Sequence, residues 1–259
     1  THHPEGEAPV LMQRTRGTDG HWSEPVAVSF GDPAGDADAY FQPGTDRLVF
    51  MSQRGTEPAN WDIWETAWTG EGWTEARPIA AINGPGSDIY PTVAADGTIA
   101  FATTREETGG DRQIWLARPS EDGGYESGPA PGALNRDPRV SNPLIFPDGR
   151  RIIVFEIRED GQGGPDLAVS CLTATGWTAP VNLGLVVNTS APEYAPMLDA
   201  GGEWLNFIRG DTLMQLDDTD ERLAVALAEA RLSRATSERD RYQALQDTGA
   251  AATARFEQA

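Results

Sequence analysis

The sequence predicts an all-β fold, a β-propeller of about four blades followed by a C-terminal helical tail. Three recurring features carry that expectation: an aromatic turn, an apolar strand ending in arginine, and a Trp/Asp-containing strand. All three repeat with one period of 51 to 53 residues along the 259-residue chain. Independent features that share a period mark a structural repeat.

The aromatic turn opens the series. Trp22-Ser23-Glu24-Pro25 recurs as Trp73-Thr74-Glu75-Ala76-Arg77-Pro78, as Tyr125-Glu126-Ser127-Gly128-Pro129 and as Trp177-Thr178-Ala179-Pro180. The apolar strand recurs as Leu48-Val49-Phe50, Ile99-Ala100-Phe101, Ile152-Ile153-Val154 and Leu205-Asn206-Phe207, followed by Arg54, Arg105, Arg158 and Arg209. The third feature is Trp61-Asp62-Ile63-Trp64, then Arg112-Gln113-Ile114-Trp115, then Pro165-Asp166-Leu167-Ala168.

Within one period the apolar runs are short and rich in β-branched and aromatic residues, with turn residues between them. Asp96-Gly97 and Pro147-Asp148-Gly149 separate such runs as hairpin turns do. One unit reads as strands over Tyr90–Ala94, Thr98–Thr103, Gln113–Ala117 and from Tyr125 onward. Four antiparallel strands in about 50 residues make a propeller blade. The density of Gly (28) and Pro (19) excludes a helical solenoid.

Three domains follow: an N-terminal extension over 1–9, the propeller over 10–218 and a helical or partly disordered tail over 219–259. Residues 10–28 supply only the last two strands of a unit, with Val10–Thr15 aligned to Trp61–Thr66. The opening strands of a final unit fall around Tyr194–Leu198 and Trp204–Ile208. The two ends are therefore expected to complete one blade. A further strand at Asp211–Leu216 competes for the same place and leaves a fifth, incomplete blade open. From Thr219 the chain is rich in Ala, Glu, Arg, Gln and Leu, good helix formers. Leu216, Leu223 and Ala230 keep a heptad, but the apolar stripe is too thin for a strong coiled coil, so weak self-association is the most this tail offers.

The segments Glu193-Tyr194-Ala195-Pro196, Phe146-Pro147-Asp148-Gly149-Arg150 and Trp61-Asp62-Ile63-Trp64, with the Trp-Thr-x-Pro turns, resemble the TolB-type, WD-like propeller repeat. The resemblance covers residues 10–216. It implies a periplasmic or secreted protein, and the residues themselves leave the cytoplasm open. In the third unit Val140-Ser141-Asn142 stands where an acid and a Tyr are expected.

Forty acidic residues against twenty basic ones give a formal charge of −20 and argue against nucleic acid as a partner. All the basic residues are Arg, so lysine chemistry is excluded. Cys171 is the single cysteine, and no apolar run is long enough to insert in a membrane. The start of the chain shows no signal-peptide pattern, as a processed chain would also show, and His2 and His3 are either native or remnants of a tag. No nucleophile elbow, H-E-x-x-H or P-loop occurs, and the three His all lie within the first 21 residues.

Candidate site residues come from the transitions between units. Asn83, Asn135 and Asn188 each precede the next first strand by five residues, at Asp88, Val140 and Glu193, and Asp38 is assigned to the corresponding place in the first unit. First strands line a propeller channel. Asp38, Asp88 and Glu193 would then converge on its mouth, with Asn83 and Asn188 adding carbonyl oxygens. Such an oxygen-rich set suits Ca²⁺. The alternative is structural: Asn caps the crossover and the acids accept backbone N–H groups. The repeated arginines are expected to pair with Asp62 or Asp166 in their own blades. Trp61, Trp64 and Trp68 cluster in one blade and are a candidate aromatic contact surface. Two functional classes follow: a non-catalytic scaffold binding a protein, peptide or small ligand at its face or channel, or a carbohydrate-active hydrolase using channel carboxylates.

Overall fold

The computed structural model describes residues 8–28, 30, 35–55, 60–105, 109, 111–136, 140–158, 161–199 and 205–210, and the backbone of 212–214. The chain divides into two units, Thr1–Gln215 and Leu216–Ala259, and every described residue belongs to the first. The helical tail expected over 219–259 lies outside the described residues.

The described part is all-β. Blade A comprises β3 (Asp36–Phe41), β4 (Arg47–Ser52), β5 (Asp62–Ala67) and β6 (Arg77–Pro78). Blade B comprises β7 (Asp88–Val93), β8 (Ile99–Thr103), β9 (Gln113–Pro119) and β10 (Tyr125–Pro129). Blade C comprises β11 (Ser141–Ile145), β12 (Arg151–Glu156), β13 (Asp166–Thr173), β14 (Gly176–Trp177) and β15 (Val181–Asn182), the last two sharing the outer place beside β13. Blade D holds β16 (Glu193–Leu198), β17 (Leu205–Arg209) and β18 (Thr212–Met214). Each blade is an antiparallel meander, as the short strands and Asp-Gly turns require. Asp96 and Asp148 lock these turns by accepting the N–H of the residue two further on, Thr98 and Arg150, each at 2.9 Å.

The N-terminal residues form a separate ribbon of β1 (Met12–Gln13) and β2 (Val26–Ala27). Its place in the repeat is clear from one hydrogen bond. The N–H of Asp36 binds the carbonyl of Pro9 just as Asp88 binds Trp61 and Glu193 binds Pro165. The ribbon is therefore the third and fourth strands of a unit preceding blade A, one residue out of the expected alignment, with Pro9 and not Val10 matching Trp61. The expected closure is corrected at the same point. Among the described residues β1 and β2 pair only with each other, and β18 takes the third place beside β17. The fifth, incomplete sheet is the arrangement observed.

The Trp-Thr turn has a local cause. Ser23, Thr74 and Thr178 place their hydroxyls to accept the N–H of Thr15, Ala67 and Cys171 at 3.0, 3.0 and 3.1 Å. The hydroxyl satisfies a strand N–H where the outer strand departs toward proline, which has no N–H to offer. Blade B has Tyr125-Glu126 here, and β10 instead pairs with β9 over five consecutive residues.

The core is assembled between blades. One cluster joins Ile89, Ile114, Leu116, Leu134, Val140, Ile145, Ile152 and Trp177, all buried. A second joins the ribbon to blade A through Leu11, Phe30, Leu48, Phe50 and Ala76. Thr92 links β7 to β11 directly, its Oγ1 donating to the Pro143 carbonyl at 2.9 Å and accepting the Ile145 N–H at 3.0 Å.

Candidate functional site

The innermost strands β3, β7, β11 and β16 each carry a bulge at the same place. Residues 38–39, 90–91, 142–143 and 195–196 stand two against one opposite Phe50, Phe101, Val154 and Phe207. The first residue of each bulge is left-handed and none is glycine: Asp38 (φ 47°), Tyr90 (φ 57°), Asn142 (φ 48°) and Ala195 (φ 50°). This conformation is costly for a side-chain-bearing residue and survives only where its surroundings over-determine it. The bulges turn all four residues toward one space of about 370 Å³, lined by segments 38–40, 90–92, 142–143 and 195–197. That space is the channel. A second cleft of about 780 Å³ adjoins it between Ala39–Thr45 and Met197–Asp199, with Pro147 at its side.

Burial pushes the Tyr40 phenol up to about 12. The Tyr90 phenol is also raised, chiefly by burial and further by the Asp38 carboxylate, while the Arg112 charge opposes both. Asn142 is buried, and its Oδ1 has no hydrogen-bond partner.

The residues expected to form the site divide between this ring and the scaffold. Asp38 lines the channel, but it is not the counterpart of Asp88 and Glu193. The bulge register makes Asp36 their counterpart, 52 residues before Asp88. The first unit has no asparagine to anchor the count, but the repeat period of 51 to 53 residues fits Asp36 and not Asp38, which lies 50 residues before Asp88. Asp36, Asp88 and Glu193 are buried and ion-paired, to Arg54, Arg105 and Arg209. The arginines thus pair within their own blades, but with the innermost strand and not with Asp62 or Asp166. Asp62 is raised by burial first and by Asp88 second, with Arg105 acting against both. Asp166 accepts instead from Gln162 N–H and Asn182 Nδ2, each at 2.8 Å.

Blade C departs from this plan because Val140 supplies no acid. Arg158 there lies 3.8 Å from Glu156 on the second strand, and its side chain is 41% exposed against 4% for Arg54. Among the described residues no group of three His, Cys, Asp or Glu side chains is placed to hold a metal, so Asp38, Asp88 and Glu193 do not converge.

Asn83 and Asn188 are scaffold residues too. Asn83 Oδ1 accepts the Ile63 N–H at 2.8 Å, and its Nδ2 donates to the Ile63 carbonyl at 3.0 Å. Asn135 does the same to Ile114 at 2.7 and 2.8 Å, and Asn188 to Leu167 at 2.8 and 2.9 Å. Each amide imitates one residue of a neighbouring strand and satisfies both backbone groups of an otherwise unpaired position. The aromatic contact surface is likewise corrected. Trp61, Trp64 and Trp68 are all half-buried: Trp61 packs on the main core, Trp64 on the ribbon core, and Trp68 meets Trp73 edge-on at 5.2 Å.

Tyr90, Asn142 and Ala195 were not among the expected site residues. A signal for them was present in Pro91, Pro143 and Pro196, which follow them at the repeat spacing.

Comparison with solved structures decides the fold. TolB from Acinetobacter baumannii superposes with a TM-score of 0.51 at 14% identity, over 80% of this chain and 46% of that one. The fold is a TolB-type β-propeller. This chain thus spans less than half of the TolB structure it matches. A structure of the nidogen/laminin complex aligns with a TM-score of 0.49 at 15% identity, over 78% of this chain and 68% of the other. No family model matches the chain, and neither does any curated protein.

Proposed function

We propose that this propeller is a non-catalytic binding scaffold whose ligand, a protein segment, peptide or small molecule, enters the channel lined by β3, β7, β11 and β16. One observation carries the reading. Structural residues recur in kind: the arginines in all four blades, the buried acids in three of them and the crossover asparagines at three crossovers. The four left-handed residues repeat only in backbone, and their side chains are Asp, Tyr, Asn and Ala. A contact made by the fold tends to recur in kind among blades, whereas a recognition surface differs around its ring. Concave, mostly apolar spaces with a few convergent polar groups are where ligands bind.

A hydrolase would need two opposed carboxylates. Among the described residues lining the channel Asp38 is the one carboxylate; Asp88 and Glu193 lie outside that lining, held by Arg105 and Arg209. The scaffold reading is therefore preferred.

The test is a thermal-shift survey of peptides and metabolites with the wild type and with Met197→Trp, which narrows the channel from a half-exposed position. A channel ligand raises the wild-type melting temperature by mass action and leaves the variant unmoved. Equal shifts in both proteins would place binding elsewhere and overturn the reading.

A further inference from the structure

Phe41 on β3, Val93 on β7 and Ile145 on β11 hold one place in the repeat, opposite Leu48, Ile99 and Ile152. Val93 and Ile145 are fully buried, whereas Phe41 is 52% exposed. The cause is the neighbour on that side. β3 and β4 of the preceding blade pack on β7, and β7 and β8 pack on β11. β3 follows the ribbon, whose unit has a third and a fourth strand and, among the described residues, no first or second.

Blade D is bare on its other flank. Met197 on β16 corresponds to Tyr40, Thr92 and Leu144, being paired with Asn206 as these are with Val49, Ala100 and Ile153. Those three are buried and Met197 is 46% exposed. Phe41 and Met197 line the same cleft of about 780 Å³. That cleft is therefore where the repeat puts the first two strands of the ribbon's unit.

The edge of β1 has the matching backbone groups. The Leu11 carbonyl accepts the Val28 N–H, so the next pair of the antiparallel ladder, Met12 with Ala27, is not hydrogen-bonded. The N–H and carbonyl of Met12 thus point away from β2. In blades A, B and C this edge of the third strand pairs with the second strand, β5 with β4, β9 with β8 and β13 with β12. Among the described residues β1 pairs only with β2.

We infer that the cleft between β3 and β16 receives an extended segment of a partner protein, which adds to the free edge of β1 as an antiparallel strand. Its backbone bonds Met12, and its alternate side chains, apolar on the covered faces, lie against Phe41 and Met197. The chain itself shows what such a place accepts, because the hairpins β3–β4, β7–β8 and β11–β12 each fill it in their own blades. A second copy has no strand to lend among its described residues, since each is already paired within its own sheet. The inference does not rest on the channel reading: a strand edge, not the left-handed ring, holds the partner.

The test uses the full chain and a dye-labelled synthetic peptide copying residues 88–105, the hairpin of blade B, with a scrambled peptide as control. Fluorescence anisotropy should show the hairpin peptide binding at least about tenfold more tightly than the scrambled one. Hydrogen exchange at the Met12 amide should slow only when the hairpin peptide is bound. Met12→Pro removes that N–H from an edge strand and keeps the bonds to β2, and Phe41→Ser strips the apolar flank. Each should weaken binding at least about tenfold while the melting temperature shows the variant folded. Absence of binding, equal binding of the two peptides, or binding that both variants leave unchanged would overturn the inference. A wild-type dimer in light scattering that Met12→Pro dissolves, without peptide binding, would make a second copy the occupant and overturn it as well. Met12 lies outside the channel lining, so the ligand survey decides the channel reading separately.

Discussion

Arg105 grips Asp88 with two parallel hydrogen bonds, Nε to Oδ1 at 3.2 Å and Nη2 to Oδ2 at 3.0 Å, while its guanidinium lies 4.5 Å from the centre of the Trp115 ring. The same Nη2 also donates to the Ile82 carbonyl. The pair ties the first strand of blade B to the segment following its second strand, and the Ile82 bond brings in the crossover from blade A. Arg209 does the equivalent work in blade D, bonding Glu193 at 3.2 Å and the Val187 carbonyl at 2.7 Å.

Because both partners of the Arg105–Asp88 pair are buried, removing one strands the other. Asp88→Ala should lower unfolding free energy by about 3–5 kcal/mol, measured by urea denaturation. Combining it with Arg105→Met should recover much of that loss, since no charge is then left buried without a counter-ion. An additive double mutant would show that the two residues act independently.

Trp22 and Trp177 hold one repeat position in two very different settings. Trp177 is 3% exposed, belongs to the main core, and exchanges backbone hydrogen bonds with Pro131 and Ala133. Trp22 is 61% exposed at the ribbon. Trp177→Ala should cost about 3–5 kcal/mol, and Trp22→Ala less than about 1 kcal/mol. Acrylamide should quench Trp22 readily in a variant retaining it as the sole tryptophan of its motif.

Tyr40 gives stability an alkaline limit. Its folded-state value of about 12 lies above the usual value of 10, so the folded chain holds the proton longer than the unfolded chain does. The stabilisation is complete below pH 10 and is lost as pH rises toward 12, on the order of 2 kcal/mol over that interval. Tyr40→Phe should flatten this part of the stability–pH curve. An unchanged slope would assign the alkaline loss to other groups.

Much of the scaffold was legible because repetition amplifies weak signals. Trp73 alone says little, but Trp22, Trp73 and Trp177 at equal spacing define a blade. The ring was less legible for the same reason. Asp38, Tyr90, Asn142 and Ala195 share a backbone conformation and no side-chain chemistry, so a search for recurring residue types passes over them. The pairing of Arg105 with Asp88 was also hidden, because Asp62, raised by burial beside that pair, was an equally plausible partner by spacing. Strand closure turned on three residues, Thr212–Met214, that pair with β17 through backbone groups any sequence can offer.

The bulge opposite Phe50, Phe101, Val154 and Phe207 separates two properties that most sites bind together. Its shape is held by strand register and by the residues packed beneath it, not by the side chain that points into the channel. On the channel reading proposed above, exchange among residues that tolerate the left-handed backbone would change what these four positions present while leaving the strand register as it is.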